Sequence, residues 1–501
     1  MVVEIDNFIY SLYKPFRNQI KQYNLLESLA VIWSYSRNFT FDLPFPSDIE
    51  LPNHFFPSDD INIRRYRGLP EFEQEFLLKE FIINCDRSTT KYSLKQKIKL
   101  SKLINYLRFS FNDEIDKKYT TNGDFLLEFN RMAHRQFNWQ MGYNQKIIFR
   151  YYKVYVDADV SSIIKRKFKL TSYELFIIGF FLFIWTGDHF RTDLPFRSEV
   201  SLITSEMIDI FFQNFSISIE QAKEELKACQ QMNANIFYSY NPLLAKPILI
   251  FENSFMCPIQ LLLFWQVTAG IYYSIVNEKG FENAYGNSFQ NYIGEVLFKC
   301  CNNSNFKIFP EEKYGKEEKR TTDWIVRDEN AVLFIECKAK RMTMVSKTEL
   351  DIKMGLEKDL KKMASFIIQL YKTYIDYSKG KYPQLSFDST KKFVPLVITL
   401  EAWYININPR IQELLKELVI EDLKANDLDA TLIDKYPYHI RSSEEFEKDI
   451  QLINSLGILS YFERVVKNEL IDYTKNYKFR NPFEGEFEKT FLDPLRQATQ
   501  T

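Results

Sequence analysis

Two apolar runs joined by a short polar turn, within residues 322–338, constrain the fold of this chain more than any other segment. The second run alternates in a way that, in a strand, places Glu336 and Lys338 on one face. If the turn at 328–331 has a two-residue loop, Asp323 lies directly opposite Glu336, with Cβ atoms about 4.5–5.5 Å apart. A three-residue loop would shift this register by one residue, and the sequence leaves both arrangements open.

Two carboxylates and a lysine at the end of one hairpin favour metal-dependent chemistry. Hard anionic oxygens bind Mg²⁺, which keeps several waters and takes substrate phosphates in its remaining positions. The tripeptide Glu-x-Lys also begins at Glu225, Glu311 and Glu317, but in polar surroundings, whereas Glu336 ends a strongly apolar strand. Burying charge there costs free energy unless a metal or a partner compensates. A structural ion pair on an edge strand is the alternative interpretation.

The hydrophobic pattern changes near residue 285 and predicts three regions. Residues 1–285 are expected to be mainly helical, residues 286–410 follow an α/β order of helix, strand, hairpin, helix and strand, and residues 411–501 are expected to form a helical extension. The helices predicted in the first region are 22–34, 72–83, 94–107, 172–185 and 218–231. The elements predicted in the second are a helix at 289–300, strands at 306–310, 322–326 and 331–338, a helix at 351–377 and a strand at 393–400.

Composition excludes several classes of protein. Basic and acidic residues number 65 and 66, so any nucleic-acid contact must come from local patches and not from a globally basic chain. Only 14 glycines are present, and they form no phosphate loop of the dinucleotide or Walker type and no nucleophile elbow. Six cysteines without a C-x-x-C pair and four scattered histidines argue against a zinc site, so we expect any metal to sit on oxygen ligands.

Two apolar stretches raise the question of a membrane. Residues 176–185 are shorter than the roughly 20 that a spanning helix needs, and they follow a capping-box pattern at Thr171 and Glu174, so a buried helix is predicted. Residues 258–276 contain polar interruptions and lack flanking charge that would orient a span, which favours a core helix over a membrane-associated effector. With no basic signal segment at the amino terminus, we expect a cytoplasmic protein and no membrane partner.

The segment Thr322-Asp323 followed by Ile335-Glu336-Cys337-Lys338 resembles the motif of the PD-(D/E)XK nuclease superfamily, which has the restriction-endonuclease-like fold. Thr322 stands where that motif often shows proline. The resemblance covers the 286–410 region and implies an α/β core, a mixed sheet flanked by helices, preceded here by the large, mainly α-helical region. It also implies metal-dependent hydrolysis of phosphodiester bonds. Asp323 and Glu336 are then the expected metal ligands, the Cys337 carbonyl adds another, and Lys338 orients the attacking water or stabilises negative charge.

The resemblance extends to two neighbouring helices. Residues 286–295 are similar to the helix that precedes the sheet in this family and carries a further acidic residue. Gln290 stands where the family often has that glutamate, and Glu295 is the nearest acid, so either side chain could complete the metal site. Gln369 resembles a glutamine that some branches of the family carry on the helix after the motif strand.

We therefore expect a nuclease, an endonuclease acting on DNA in preference to RNA, with Mg²⁺ as cofactor and Mn²⁺ able to replace it. The long helical region suggests a part that recognises the substrate or regulates the nuclease. Its partner would be a second copy of the chain or a regulatory protein. The layout also suggests a role in anti-phage defence or restriction. A catalytically inactive, nuclease-like scaffold that binds nucleic acid is the alternative. Four lysines at helical spacing predict a stripe that contacts phosphates, with an ordinary solvated helix face as its alternative: Lys91, Lys95, Lys99 and Lys102.

Overall fold

A computed structural model gives the structure of the protein and describes residues 6–50, 59–89, 91–120, 125–140, 144–233, 235–301, 305–348, 355–470, 474–475 and 477–498. The first region is mainly helical, as predicted. Its helices are α1 (Asn7–Ile20), α2 (Leu25–Phe41), α3 (Ile61–Arg64), α4 (Glu71–Asn84), α5 (Lys97–Tyr106), α6 (Asp113–Thr120), α7 (Phe125–Gln140), α8 (Gln145–Tyr155), α9 (Ala158–Phe168), α10 (Ser172–Asp188), α11 (Ser205–Phe215), α12 (Ile219–Cys229), α13 (Gln260–Trp265) and α14 (Ile271–Ile275). Two π-helical turns, Leu107–Asn112 and Gln266–Gly270, extend α5 and join α13 to α14.

Local sequence explains several of these boundaries. Thr171 and Glu174 form the predicted capping box at the start of α10, and Ser218 with Gln221 forms a second one at the start of α12. Helices α4 and α12 match the predicted segments closely. Helix α5 begins only at Lys97, three residues later than predicted.

A small sheet inside the first region was not predicted from the sequence. Its strands are β1 (Thr192–Asp193), β2 (Ser216–Ser218), β3 (Ile248–Phe251) and β4 (Ser254–Met256), in the order β1-β4-β3-β2. The strands are so short that period-2 alternation cannot be recognised in them. This sheet lies between two of the buried cores, because β3 contributes Ile248 to one core and Leu249 to the other.

The second region is built on a five-stranded mixed sheet. Its strands are β5 (Lys307–Pro310), β8 (Trp324–Arg327), β9 (Ala331–Lys338), β10 (Lys392–Thr399) and β11 (His439–Ser442), and a separate two-stranded hairpin consists of β6 (Lys313–Tyr314) and β7 (Lys319–Arg320). The order is β11-β10-β9-β8-β5, with β5, β8 and β9 antiparallel and β9, β10 and β11 parallel. Strand β11 lies in the 411–501 segment that was predicted as helical, so the sheet continues past residue 410.

Helices cover both faces of this sheet. They are α15 (Phe281–Cys300), α16 (Met344–Thr348), α17 (Leu356–Ser378), α18 (Pro409–Ala425), α19 (Leu432–Lys435), α20 (Ser443–Leu456), α21 (Ile458–Val466) and a last helix, Asp493–Ala498. Leu333 and Ile335 pack into the core that contains α15, and Phe334 packs into the core that contains α17. Because side chains alternate along β9, Glu336 falls on the α17 face.

A buried ion pair joins the helical region to the sheet region. Arg150 on α8 donates through Nε and Nη2 to the two carboxylate oxygens of Glu447 on α20, at 2.6 and 3.0 Å. Tyr292 on α15 donates its hydroxyl to the same carboxylate at 2.6 Å. The planar guanidinium suits this two-point contact, and all three helices are thereby held in one arrangement.

No single helix in the described part of the chain is long and apolar enough to cross a membrane. One consecutive pair, α9 and α10, passes by length and composition when its members are taken together, with a bend of 65° between them. The apolar residues of α10 lie largely in the interior of the protein, as predicted for 176–185. Residues 258–276 also form buried helical structure.

Candidate active site

The hairpin of β8 and β9 has the register expected for a two-residue loop. Trp324 pairs with Ile335 and Ile325 pairs with Phe334, so the next position along places Asp323 opposite Glu336. Asp328 closes the turn, since its Oδ1 accepts hydrogen bonds from the backbone N–H groups of residues 330 and 331 at 2.9 and 2.8 Å. The register was one of two left open by the sequence, and the turn carboxylate explains why this one forms.

The pairing shifts by one residue where Asp323 enters the sheet. Pro310 pairs with Trp324 in the five-stranded sheet, and Lys313 pairs with Arg320 in the separate hairpin. Two residues on one chain segment therefore lie across from three on the other, and the extra residue lies within 321–323.

Hydrogen bonds hold the two carboxylates in place. The backbone N–H of Cys337 donates to Oδ2 of Asp323 at 2.6 Å. The hydroxyl of Thr322 lies 2.6 Å from the carbonyl oxygen of Ile335 and 3.2 Å from Oε2 of Glu336. Thr322 is therefore a hydrogen-bond partner of Glu336. A valine here would leave one oxygen of Glu336 without this donor.

Helix α15 fixes the strand end that carries Asp323. The indole N–H of Trp324 donates to the backbone carbonyl of Gln290 at 2.9 Å. Gly294, one turn further along, lies directly under the same indole, and a Cβ atom there would overlap the ring. The close approach of helix and strand therefore needs glycine at this position.

Lys338 connects the buried carboxylate to solvent. Its Nζ donates to Oε1 of Glu336 at 2.6 Å and lies 4.9 Å from the centre of the Phe366 ring on α17. The lysine side chain is 21% exposed, whereas that of Glu336 is only 2% exposed. Of the pair, the ammonium group is thus the one that can reach a bound substrate.

Two buried carboxyl groups, those of Asp323 and Glu336, share the single positive charge of Lys338. Burial, and then the charge of Glu336, raise the pKa of Asp323 to about 8, while Lys338 acts in the opposite direction. Burial also raises the pKa of Glu336, again opposed by Lys338. Two facing buried carboxylates cannot both ionise easily, and a bound cation would remove this penalty.

The donor set fits Mg²⁺ in its chemistry. This ion is commonly bound through one or two carboxylates, with waters and substrate phosphate completing its coordination. Asp323 and Glu336 supply the carboxylates, and the peptide at Cys337 lies beside them because its N–H contacts Asp323. Within the described ranges, no group of three or more His, Cys, Asp or Glu side chains is placed to hold a metal ion. Such a site would therefore depend on solvent and substrate for its remaining ligands.

Sequence reasoning missed Glu311, whose negative charge raises the pKa values of Asp323 and Glu336. Glu311 follows β5 directly, and its carboxylate pairs with Arg320 at 3.0 Å. Its Glu-x-Lys tripeptide was set aside because it lies in a charged loop. The apolar strand immediately before it was the signal that could have brought it to attention.

The remaining predicted site residues have other surroundings. The carboxylate of Glu295 pairs with Lys153 on α8 at 2.7 Å and is 42% exposed. Gln290 is partly buried and contributes its backbone carbonyl to Trp324. Gln369 is exposed on α17. The structure thus brings Asp323, Glu336, Lys338 and Cys337 together and leaves Glu295, Gln290 and Gln369 apart from them in these contacts, and the roles of all seven residues stay predictions.

The four predicted lysines do not form a stripe on one helix, because Lys91 and Lys95 precede α5. A turn at residues 94–95 precedes the helix and delays its start, and Lys95 pairs with Asp48 at 2.5 Å. Lys91 and Lys99 converge instead on one exposed ring, with their Nζ atoms 5.5 and 3.9 Å from the centre of Tyr92. Lys102 is exposed further along α5.

No family model, no curated protein and no solved structure matches this chain. Function must therefore be inferred from the residues and their geometry.

Proposed function

We propose that the protein is a Mg²⁺-dependent nuclease that hydrolyses phosphodiester bonds, with DNA as its substrate and internal cleavage as its mode. One observation carries this proposal. Asp323 and Glu336 face each other at the end of an apolar hairpin, with Lys338 bound to Glu336 at 2.6 Å and leading to solvent. A structural ion pair would need only one acid for one lysine, whereas this site buries two.

Magnesium, held by Asp323 and Glu336, would lower the pKa of a bound water and neutralise charge that develops on the phosphoryl group. The protein's own groups do the rest. Cys337 and Thr322 hold the carboxylates through the hydrogen bonds given above, which limits their movement during the reaction. The Lys338 ammonium group donates hydrogen bonds to the attacking water or to the phosphoryl oxygens.

The wider role is part of the same proposal. The helical region precedes the sheet and is joined to it through Arg150 and Glu447, a layout suited to recognition or regulation of a nuclease. Cytoplasmic anti-phage defence or restriction would use such a protein. Mn²⁺ has similar ligand preferences and should replace Mg²⁺.

The test is to incubate the purified full-length protein with supercoiled plasmid, linear duplex DNA and RNA, each with Mg²⁺, with Mn²⁺ and with EDTA. We expect plasmid to be nicked and linearised with either metal and to stay intact in EDTA. Glu336→Gln is the matched control, because it keeps the size and a hydrogen-bonding oxygen but removes the charge. Cleavage by this variant at the wild-type rate would show that Glu336 is not part of the active site and would contradict the proposal.

A scaffold without catalysis is the second candidate, and two observations favour it. Gln290 stands where the family often has a glutamate, and the nearest acid, Glu295, is engaged by Lys153. If the protein is a scaffold, the wild type and Glu336→Gln should bind DNA with equal affinity, and neither should cleave it with Mg²⁺ or Mn²⁺. Cleavage by the wild type alone would rule the scaffold out.

A further inference from the structure

A cavity of about 240 Å³ lies between the helical region and the carboxyl ends of the parallel strands, and neither Asp323 nor Glu336 lines it. Residues at or just after the ends of β10 and β11 form one wall, including Glu401 and Ser442, and helices of the first region form the other. The outer ends of parallel strands are a common location for small-molecule sites in α/β proteins. Its walls are rich in aromatic rings: Tyr151, Phe237, Tyr238, Trp265, Tyr273 and Tyr404.

Helix α7 presents two consecutive polar side chains to this cavity. His134 is 9% exposed and packs edge-on against the Tyr404 ring at 4.9 Å between ring centres. Among the described residues, its buried Nε2 has no hydrogen-bond partner. Buried polar atoms are nearly always hydrogen-bonded, so an unpaired one lining a cavity indicates a missing partner. Burial and the charge of Lys347 hold the pKa of His134 well below its usual range, so the ring is neutral and carries one N–H.

Arg135 adds a positive charge that the described residues do not neutralise at close range. Its Nη2 donates to the carbonyl of Phe72 at 3.4 Å, and its guanidinium lies 5.2 Å from the centre of the Tyr238 ring. No carboxylate among the described residues lies within ion-pair distance of it, although Glu75 attracts it from further away. Burial lowers the pKa of this guanidinium, because a buried charge without a close counterion is unfavourable.

The facing wall also has a positive excess. Glu401 pairs with both Arg341 and Lys347, at 3.0 and 3.5 Å, so two cations share one carboxylate. Of the other charges that line the cavity, Glu444 pairs with Lys448 at 3.2 Å and Arg150 pairs with Glu447. Glu75 accepts a hydrogen bond from Asn241 at 3.0 Å and attracts Arg135 from beyond ion-pair distance. Helix α16, which carries Lys347, packs against α7, so the Lys347 charge on the facing wall lies near His134.

We propose that this cavity binds a small aromatic anion of the nucleoside monophosphate class, with the base between the aromatic rings and the phosphate between Arg135 and Lys347. Arginine and lysine are the usual phosphate ligands, and stacking on aromatic side chains suits any base. His134 supplies a hydrogen bond to the ligand. The volume of about 240 Å³ lies just below the roughly 300–1,000 Å³ of sites for drug-sized ligands, so the cavity can hold at most one nucleotide and not an oligonucleotide.

Isothermal titration calorimetry of the full-length protein with AMP tests the proposal, with adenosine as the uncharged comparison. All titrations contain EDTA, so the outcome does not depend on metal binding or on cleavage. We expect AMP to bind to one site and adenosine to bind about tenfold more weakly or worse, because the phosphate contacts are charge-assisted. No heat of binding with AMP up to millimolar concentration, or equal affinity for both compounds, would overturn the proposal.

Three variants locate the site. Arg135→Gln and Lys347→Gln should each weaken AMP binding by about tenfold, and thermal unfolding of each variant shows whether it is folded. Arg166→Gln removes an exposed arginine on α9 and should leave the affinity unchanged. Glu336→Gln should also leave it unchanged, and loss of binding in that variant would place AMP at the hairpin and contradict the proposal. Unchanged affinity in both folded cavity variants would contradict it as well.

Discussion

Asp323 and Glu336 face each other across the β8–β9 hairpin, and burial raises the pKa values of both carboxyl groups. Lys338 compensates only one of the two charges, since it bonds to Glu336 at 2.6 Å. The site is therefore under electrostatic strain when no cation is bound. Strain of this kind is common where ionisable groups are arranged for function and not for stability.

The strain gives the protein a pH dependence that Asp323 should control. An aspartate ionises near pH 3.9 in an unfolded chain but near pH 8 in this fold. Between these values the folded state holds a proton that the unfolded state has lost. The free energy of unfolding therefore falls as pH rises, by at most about 1.4 kcal/mol per pH unit for one proton.

In EDTA, Asp323→Asn should flatten this slope between pH 5 and pH 8 and should raise the melting temperature most at the alkaline end. Urea unfolding followed by circular dichroism at several pH values measures the slope. Asp434→Asn, at an exposed aspartate, is the control and should keep the wild-type slope. A slope in Asp323→Asn that equals that of the wild type would show that the carboxyl is not perturbed.

Lys338 should act on the rate more than on binding. In the proposed mechanism Lys338 contacts the phosphoryl oxygens or water as charge develops, so we expect Lys338→Ala to lower kcat by about 100-fold or more. DNA affinity, measured by fluorescence anisotropy in Ca²⁺, should change several-fold at most. Lys392→Ala, at an exposed lysine at the opposite end of the neighbouring strand, should match the wild type in both. Equal losses of rate and affinity in Lys338→Ala would make this lysine a phosphate clamp.

The buried pair of Arg150 and Glu447 should matter for stability. Glu447→Ala leaves the Arg150 guanidinium buried without its carboxylate, which costs about 3–5 kcal/mol of unfolding free energy. Both side chains are less than a tenth exposed, so solvent does not screen the loss. Chemical denaturation measures it, with Glu413→Ala in an exposed pair as the control, expected within about 1 kcal/mol of wild type. A loss under 1 kcal/mol in Glu447→Ala would contradict this role.

The basic residues near Tyr92 should contribute salt-dependent affinity if they contact phosphates. Neutralising four contacts by Lys→Gln at positions 91, 95, 99 and 102 should flatten the slope of log K against log[salt] by up to about 3.6 units. Lys91 and Lys99 converge on Tyr92, so the double variant at these two should account for about half of that change. A control variant, Lys416→Gln with Lys448→Gln, removes two exposed lysines elsewhere. An unchanged slope in the fourfold variant would assign these lysines to ordinary surface.

Strong local patterns made much of the sheet region predictable. The hairpin, the strands at 306–310 and 393–400 and the long helix that follows the motif lie close to their predicted positions, because the hydrophobic pattern of each element is set by nearby residues. The first residues of the predicted helix, 351–354, lie outside the described residues. Strand β11 was missed because only four residues pair, and its place depends on the exposed edge of β10. No local sequence pattern predicts the pairing of β11 with β10.

The candidate site was likewise predictable only where it depends on the local sequence pattern. Alternation along β9 was enough to place Glu336 and Lys338 on one face, and the hairpin register placed Asp323. Three other features of the site depend on pairing with more distant parts of the chain. They are the extra residue at 321–323, the charge of Glu311 and the ion pair of Glu295 with Lys153. The cavity lined by His134 and Glu401 could not be predicted from the sequence, because its walls come from residues far apart along the chain.

Plasmid cleavage in Mg²⁺ by the wild type and by Asp323→Ala, at equal concentrations and with folding checked by circular dichroism, tests the central claim most directly. We expect the wild type to linearise the plasmid and Asp323→Ala to leave it supercoiled, because one carboxylate cannot replace the facing pair as a metal site. Cleavage by Asp323→Ala at the wild-type rate would show that the hairpin is not the active site.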